Sequence, residues 1–401
     1  MIDDRKLTPV QAAVLDHINV PRMARLAYDL VSIRSYTCDT TEATEFFAGA
    51  LNRSGLDISW FRFPEFPRTP GMVARLAGAG GGVSLELNGH MDTIPLDHEP
   101  PQLDDTALTG RGATDMKASL ACAAEVALAL RDAGVRLQGD LLISTHGLHE
   151  MPGGHGEDLE ARLRTGIHGE AVIVLECGST ALPVAGVGMC TFEAIISRPG
   201  EITHENSTAP GTPHPIVAAA RFVTLVQELH QHLSRESIEF VGSPSVFVGE
   251  VHGGDFYNRF PTKCSVVGTR RWSPEERFAD ARAGLEALCR QVERETGTTV
   301  QLCLELGREG FRVDLTHPLP VALRTAYELV TGSVLVPGGL RSVADASTFQ
   351  HAGGVPAVYH GPQGTGHHGD FERIELAELL RATRVLALTA LTYCGVADGQ
   401  R

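Results

Sequence analysis

Short apolar runs alternate with helix-length amphipathic stretches in the first half of the chain, and no other feature restricts the fold as much. The runs are "VSLELNGH" (83–90), "DLLISTHG" (140–147) and "AVIVLEC" (171–177), each bounded by turn residues. Between the first two lies "MKASLACAAEVALALRDAG", Ala/Leu-rich with helical periodicity and ending at Gly134. Strands alternating with helices of this length predict an α/β domain with a mostly parallel sheet covered by helices. Upstream, "PRMARLAYDLVSIRS" and "TEATEFFAGALNRSG" read as two further helices within 20–56.

The pattern changes at about Met189. "MCTFEAIISRPG" reads as a strand, "HPIVAAARFVTLVQELHQHLS" as a long helix, and "SVFVGEVHGG" and "KCSVVGTRRW" as two strands. A second helix, "PEERFADARAGLEALCRQVERET", and a last strand, "TVQLCLEL", follow. This βαββαβ order is that of a ferredoxin-like unit. After "THPLP" (316–320) the α/β style returns, with "SVLVPGG", "VPAVYHGP" and a C-terminal helix from Glu375. The expected organisation is a catalytic domain in two parts, 1–188 and 308–401, carrying an inserted ferredoxin-like lid at 189–307. A length of 401 residues accords with two cores.

A formal charge of −15 disfavours a nucleic-acid partner, which would need Lys/Arg clusters. The eight cysteines (38, 122, 177, 190, 264, 289, 303 and 394) are scattered without a CxxC pair. They read as reduced core residues, not as a disulfide frame or thiolate zinc site. "MIDDRKLTPVQ" has no apolar signal region, and no stretch approaches 18 uninterrupted apolar residues. No membrane partner and a cytoplasmic location are the expectations.

Polar residues gather where the predicted strands end. His90 and Asp92 follow "LELN", Asp115 opens the next helix in "GRGATDMK", and His149 and Glu150 follow "LLISTHGL". Glu176 ends "AVIVLE", and His368 lies in "GTGHHGDFERI" after the last strand. Open α/β sheets bind ligands at this edge, so residues far apart in sequence converge there. Singly, each has an ordinary explanation: a strand-end His as hydrogen-bonded scaffold, Asp115 as a helix cap, Glu150 as a loop carboxylate. Together at one edge they form an imidazole–carboxylate set suited to zinc, manganese or cobalt, with Asp92 placed to orient the His90 ring.

"GHMDTIP", "GRGATDMK", the pair at 149–150, "VLECG" and the terminal "HGDFERI" resemble, in order, the motif blocks of one metallopeptidase family. It contains acetylornithine deacetylase, succinyl-diaminopimelate desuccinylase, aminoacylase-1 and glutamate carboxypeptidase. "SVADASTFQHAGGVPAVYHGP" resembles the same family's stretch before its last metal ligand, so the likeness spans nearly the whole chain. It implies one or two divalent ions (zinc, manganese or cobalt). His90 and Glu176 would hold one, Glu150 and His368 the other, and Asp115 would bridge them. The family's spacing of four residues from the last His to a Glu, here Glu372, selects His368 over His367. In the lid, "ITHENSTAPGTPHP" resembles the segment whose His reaches the neighbouring protomer's site to polarise the substrate carbonyl, which is His204 here. "NRFP" and "RRWSP" match positions that touch substrate or its carboxylate, implying Asn258 and Arg271. A homodimer or higher homo-oligomer through the lid follows from the same resemblance.

At 149–150 the chain departs from the family it resembles, which has two adjacent Glu there, the first a general base and the second a ligand. Glu150 keeps the ligand's register from Asp115, and His149 takes the base's seat. An imidazole there can accept a proton near neutrality, so hydrolysis survives the change. It can also serve as an extra ligand or substrate contact, or mark a decayed site in a binding protein. The expected reaction is metal-dependent hydrolysis of a C–N bond, with His149, Asp92 and His204 as catalytic residues. The substrate class is a small N-acyl amino acid or dipeptide-like amide bearing a carboxylate. Beside it stand a non-peptide C–N hydrolase, such as an aromatic aminohydrolase resembling 5-nitroanthranilate aminohydrolase, and a non-catalytic metal or ligand-binding protein.

Overall fold

The computed structural model describes residues 7–150, 153–176, 178, 180–342 and 345–399. Cys177, and the Met151–Pro152 step after the 149–150 pair, lie outside the described residues. The chain forms two compact units: Met1–Val184 with Val313–Gly338 and Thr348–Arg401, and Ala185–Arg312 with Gly339–Ser347.

The larger unit is built on a six-stranded sheet. Its strands are β1 (Asp57–Phe61), β2 (Gly71–Leu76), β3 (Leu85–His90), β4 (Leu141–His146), β5 (Ala171–Val174) and the short strand Ala357–Tyr359. The order is β1-β2-β4-β3-β5 with Ala357–Tyr359 beside β5. The ladders among β4, β3, β5 and Ala357–Tyr359 are parallel, and β1 and β2 close one side antiparallel. Every residue of β3, β4 and β5 is buried, as expected of parallel strands covered on both faces. The helix Lys117–Asp132 connects β3 to β4 and is buried from Lys117 through Leu130, so its surroundings admit mostly Ala and Leu. The C-terminal helix Leu376–Cys394 is buried over most of its length.

An N-terminal helix, Pro9–Asp16, was not among the expected elements. Its local signal is a capping box, in which Thr8 and Gln11 each bond the other's backbone N–H, with Pro9 in the first turn.

The smaller unit carries a four-stranded antiparallel sheet of β6 (Gly188–Ser197), β7 (Ser245–Gly253), β8 (Lys263–Trp272) and β9 (Thr299–Arg308), in the order β7-β8-β6-β9. The helices Pro215–Leu233 and Phe278–Thr296 fall between β6 and β7 and between β8 and β9, giving the βαββαβ order. Phe192, Ala194, Ile196 and Val266 pack with Phe222 and Leu225 of one helix and Leu285 and Val292 of the other.

The core assignment of the cysteines needs correcting at two positions. Cys38 and Cys303 are exposed. Strand alternation along β9 puts Cys303 on the same face as Gln301 and Glu305, away from Leu302 and Leu304, and that polar company decides its side. Among the described residues no helix is long and apolar enough to cross a membrane.

Candidate metal centre

The parallel strands of the larger unit deliver the polar residues to one edge of the sheet. β3 ends on His90, β4 leads through Gly147 and Leu148 to His149 and Glu150, and β5 leads through Leu175 to Glu176. Asp115 stands two residues before the helix Lys117–Asp132, whose N-cap position is Met116 without a side-chain cap bond. The Asp115 carboxylate is therefore not spent on capping.

It is shared between two histidines instead. His90 Nε2 lies 2.9 Å from Asp115 Oδ1, and His368 Nε2 lies 3.0 Å from Asp115 Oδ2 and 3.1 Å from Glu150 Oε1. His367 stacks on His368 with ring centroids 4.3 Å apart, but its Nδ1 is 3.4 Å from the same Asp115 oxygen. The ligand atoms of His90, Asp115 and Glu150 lie within 4.8 Å of one another, as do those of His90, His149 and Glu176. Asp115 and Glu150 are buried, and His90 is fully so.

Asp92 anchors this edge in two directions. Its backbone carbonyl takes the His90 Nδ1 proton at 2.9 Å, with its carboxylate 3.4 Å from the same nitrogen. That fixes His90 with Nε2 toward Asp115. Carboxylate Oδ2 accepts the backbone N–H groups of His149 and Glu150 at 3.1 and 2.9 Å, so one aspartate sets both the ring and the following turn. His149 stacks on His90 with centroids 4.1 Å apart and planes 5° from parallel, its Nε2 3.8 Å from Glu176 Oε1.

The electrostatics are those of a site made for positive charge. Burial disfavours a charged His90, yet Asp115 and Asp92 push its imidazole well above the ordinary range. The hydrogen bond to Asp115 pushes His368 up to about 9. Burial lifts the Glu150 carboxyl to about 7, the nearby histidines opposing and Asp115 adding to the rise. The donor set of imidazole nitrogens and carboxylate oxygens fits divalent zinc, manganese or cobalt.

Two residues that the sequence reading gave no functional role hold the loops in place. Buried Glu372 accepts from Arg111 Nη1 at 2.6 Å, from the Gly112 and Thr114 N–H groups at 3.0 and 3.2 Å, and from the Thr114 hydroxyl at 3.0 Å. It thus staples the loop bearing Asp115 to the loop bearing His368. Lys117 is buried, donates to the carbonyls of Leu30 and Ile33, and is pushed down to about 7 by burial.

The remaining expected residues sit in the smaller unit. His204 lies on a two-residue strand paired with Arg259–Phe260, its Nε2 3.1 Å from the Asn258 amide. The Asn206 N–H donates to His204 Nδ1 at 3.2 Å. Arg271, on β8, donates to the Arg341 carbonyl at 3.1 Å, and burial together with the Arg341 charge holds its guanidinium below the ordinary value.

The family model for peptidase family M20/M25/M40 matches residues 87–392. Among curated proteins the chain is similar to N-formyl-4-amino-5-aminomethyl-2-methylpyrimidine deformylase of Bacillus subtilis, 24% identical over 98% of each chain. It is also similar to a succinyl-diaminopimelate desuccinylase of Methylobacterium radiotolerans, 25% identical over 92% of this chain and 96% of the relative. Among solved structures it resembles the Bacillus subtilis YXEP protein, described as a dinuclear metal binding peptidase from the M20 family. There the TM-score is 0.67 and the identity 19%, over 94% of this chain and 98% of the other.

Proposed function

The chain belongs to peptidase family M20/M25/M40, and on that premise we propose that it cleaves the amide of a small N-acyl amino acid or dipeptide-like compound bearing a free carboxylate. It is a metal-dependent hydrolase acting on C–N bonds. The relatives' names, a deformylase and a desuccinylase, support acyl removal over replacement of an aromatic amine.

The observation that carries the site is the divided carboxylate of Asp115, one oxygen on His90 and the other on His368. It supports His90 with Glu176 as one metal seat, Glu150 with His368 as the other, and Asp115 between them. Bound there, divalent ions supply Lewis-acid polarisation of the scissile carbonyl and acidify an attacking water. His149, half-buried beside His90, accepts the proton and returns it to the leaving amine. Asp92 keeps that residue in place through its backbone N–H.

In the lid, His204 Nδ1 accepts the Asn206 N–H and Nε2 faces the Asn258 amide nitrogen, so the imidazole and the Asn258 side chain stand together as the polar pair that would meet a substrate carbonyl. On the family's pattern His204 serves the site of a second copy. Arg271 beside Arg341 offers a cationic clamp for the substrate carboxylate. Assembly through the lid is supported by β7, a sheet edge that leaves Phe247 and Val251 exposed. The seven free cysteines of the described residues support a reducing compartment, the cytoplasm.

Dialysis against a chelator, re-addition of zinc, manganese or cobalt, and a panel of N-acyl amino acids test this directly. Turnover should disappear and return with the metal. Full turnover by rigorously metal-free protein would overturn the reading.

A further inference from the structure

Glu86, Asn88 and His90 occupy alternate positions of β3, and Ser144 and His146 do so on β4. The parallel register sets Asn88 beside Ser144 and His90 beside His146, so all five share one face of the sheet. Every one of them is buried. A covered parallel sheet ordinarily keeps apolar side chains there, and a polar group costs stability unless it is paired.

Four of them, Glu86, Ser144, Asn88 and His146, are linked end to end. The Arg162 guanidinium, also buried, donates to Glu86 Oε1 at 2.7 Å, and the Gly169 N–H donates to Oε2 at 2.8 Å. Ser144 Oγ donates to Glu86 Oε1, and Asn88 Nδ2 donates to Ser144 Oγ at 2.8 Å. Asn88 Nδ2 also lies 3.5 Å from His146 Nδ1. Burial opposes a charge on Glu86, but Arg162, Ser144 and Gly169 together hold its carboxyl below the ordinary range. An ionised Glu86 only accepts, so the Ser144 hydroxyl must point to it and accept from Asn88. The amide's other hydrogen then faces His146 Nδ1.

His146 in turn meets two rings of the metal centre edge-on. Its centroid is 6.4 Å from that of His90 at 62° and 6.2 Å from that of His149 at 61°. We propose that Asn88, Ser144 and His146 are positioning residues, through which the buried Glu86–Arg162 pair braces the His149 ring and the His90 ring that Asp92 orients. The inference rests on the roles given to those two histidines above. It also accounts for a polar stripe in the middle of an apolar sheet.

The test compares wild-type protein with Ser144→Ala, His146→Phe and Ser144→Thr, each titrated with Co(II). Ser144→Ala and His146→Phe should keep the native circular dichroism spectrum. Their visible Co(II) bands should shift, and Co(II) affinity, read by competition with a chelating dye, should fall about tenfold. Where substrate turnover is followed, kcat should fall with KM unchanged. Ser144→Thr keeps the hydroxyl and should restore both spectrum and affinity. Unchanged Co(II) bands and affinity in Ser144→Ala and His146→Phe would overturn the positioning role and leave the hydrolase reading standing. A wild-type protein that binds no Co(II) would overturn the hydrolase reading itself.

Discussion

The two sheets treat polar residues in opposite ways. In the lid sheet, burial alternates along β6 and β8, and the side chains against the helices are chiefly apolar: Phe192, Ala194, Ile196, Val266. Polar residues such as Thr191, Glu193, Ser265 and Thr269 take the other, partly exposed face. In the central sheet β3 and β4 have no exposed face, yet Glu86, Asn88, His90, Ser144 and His146 lie inside it. The lid sheet is explained by solvent alone. The central sheet is not, and the surplus of buried, mutually bonded polar groups leads to the edge where Asp115 and Glu150 wait. Polarity against the burial pattern marks function here, because each such group needs a partner to be tolerated.

The largest break in this contrast should come from Asp115→Ala. It removes the carboxylate shared by His90 and His368, and with it the acid that pairs with both imidazoles and raises their affinity for protons. Metal content, measured by elemental analysis after gel filtration, should drop to background together with hydrolysis. The circular dichroism of both units should persist. Retained metal at wild-type stoichiometry would show that the divided carboxylate is only a surface of the fold.

Next in size is His149→Ala. It takes away a proton acceptor while leaving the backbone N–H that Asp92 holds, so metal should stay and kcat should fall by about 10²-fold or more. An unchanged rate would make His149 a bystander in the base's seat.

Metal binding should also depend on pH with a definite sign. In the metal-free protein His368 titrates at about 9, so at neutral pH its imidazole carries a proton that a metal must displace. Apparent affinity should therefore rise with pH toward about 9, by roughly tenfold per unit for each proton displaced, His90 and Glu150 adding to the contribution of His368. Calorimetry in buffers of different ionisation enthalpy reads this proton release. An affinity flat from pH 6 to 9 would contradict the His368–Asp115 pairing.

Much of this architecture was legible in the chain. The strand ends carrying His90, Glu150 and Glu176 follow from apolar runs that stop at polar residues. The lid's βαββαβ order follows from its periodicities. Other features were hidden for physical reasons. Arg162 pairs with Glu86 across 76 residues, a partnership that only the folded sheet reveals. The run "DLLISTHG" reads as simply apolar, since nothing local tells that Ser144 and His146 face the same way as Glu86 and Asn88. Cys303 was misread because "QLCLEL" is apolar in composition, although its alternation with Gln301 and Glu305 held the answer. Glu372 marked the register of His368 in sequence, but its bonds to Gly112 and Thr114 belong to a contact between distant loops.

The smallest predicted effect is a single chemical change made once in each sheet. Ser265 sits on the partly exposed face of β8, where water can replace any bond its hydroxyl makes. Ser265→Ala should alter stability by no more than about 0.5 kcal/mol, the range of surface substitutions. Ser144→Ala removes the same atom from between Asn88 and the Glu86 carboxylate, at a fully buried position. A buried acceptor deprived of its donor costs about 1–3 kcal/mol. Urea unfolding of the metal-free proteins compares the two without interference from the ligand centre. If both serines prove equally dispensable, the stripe in the central sheet is no more than polar residues tolerated where they happen to fall.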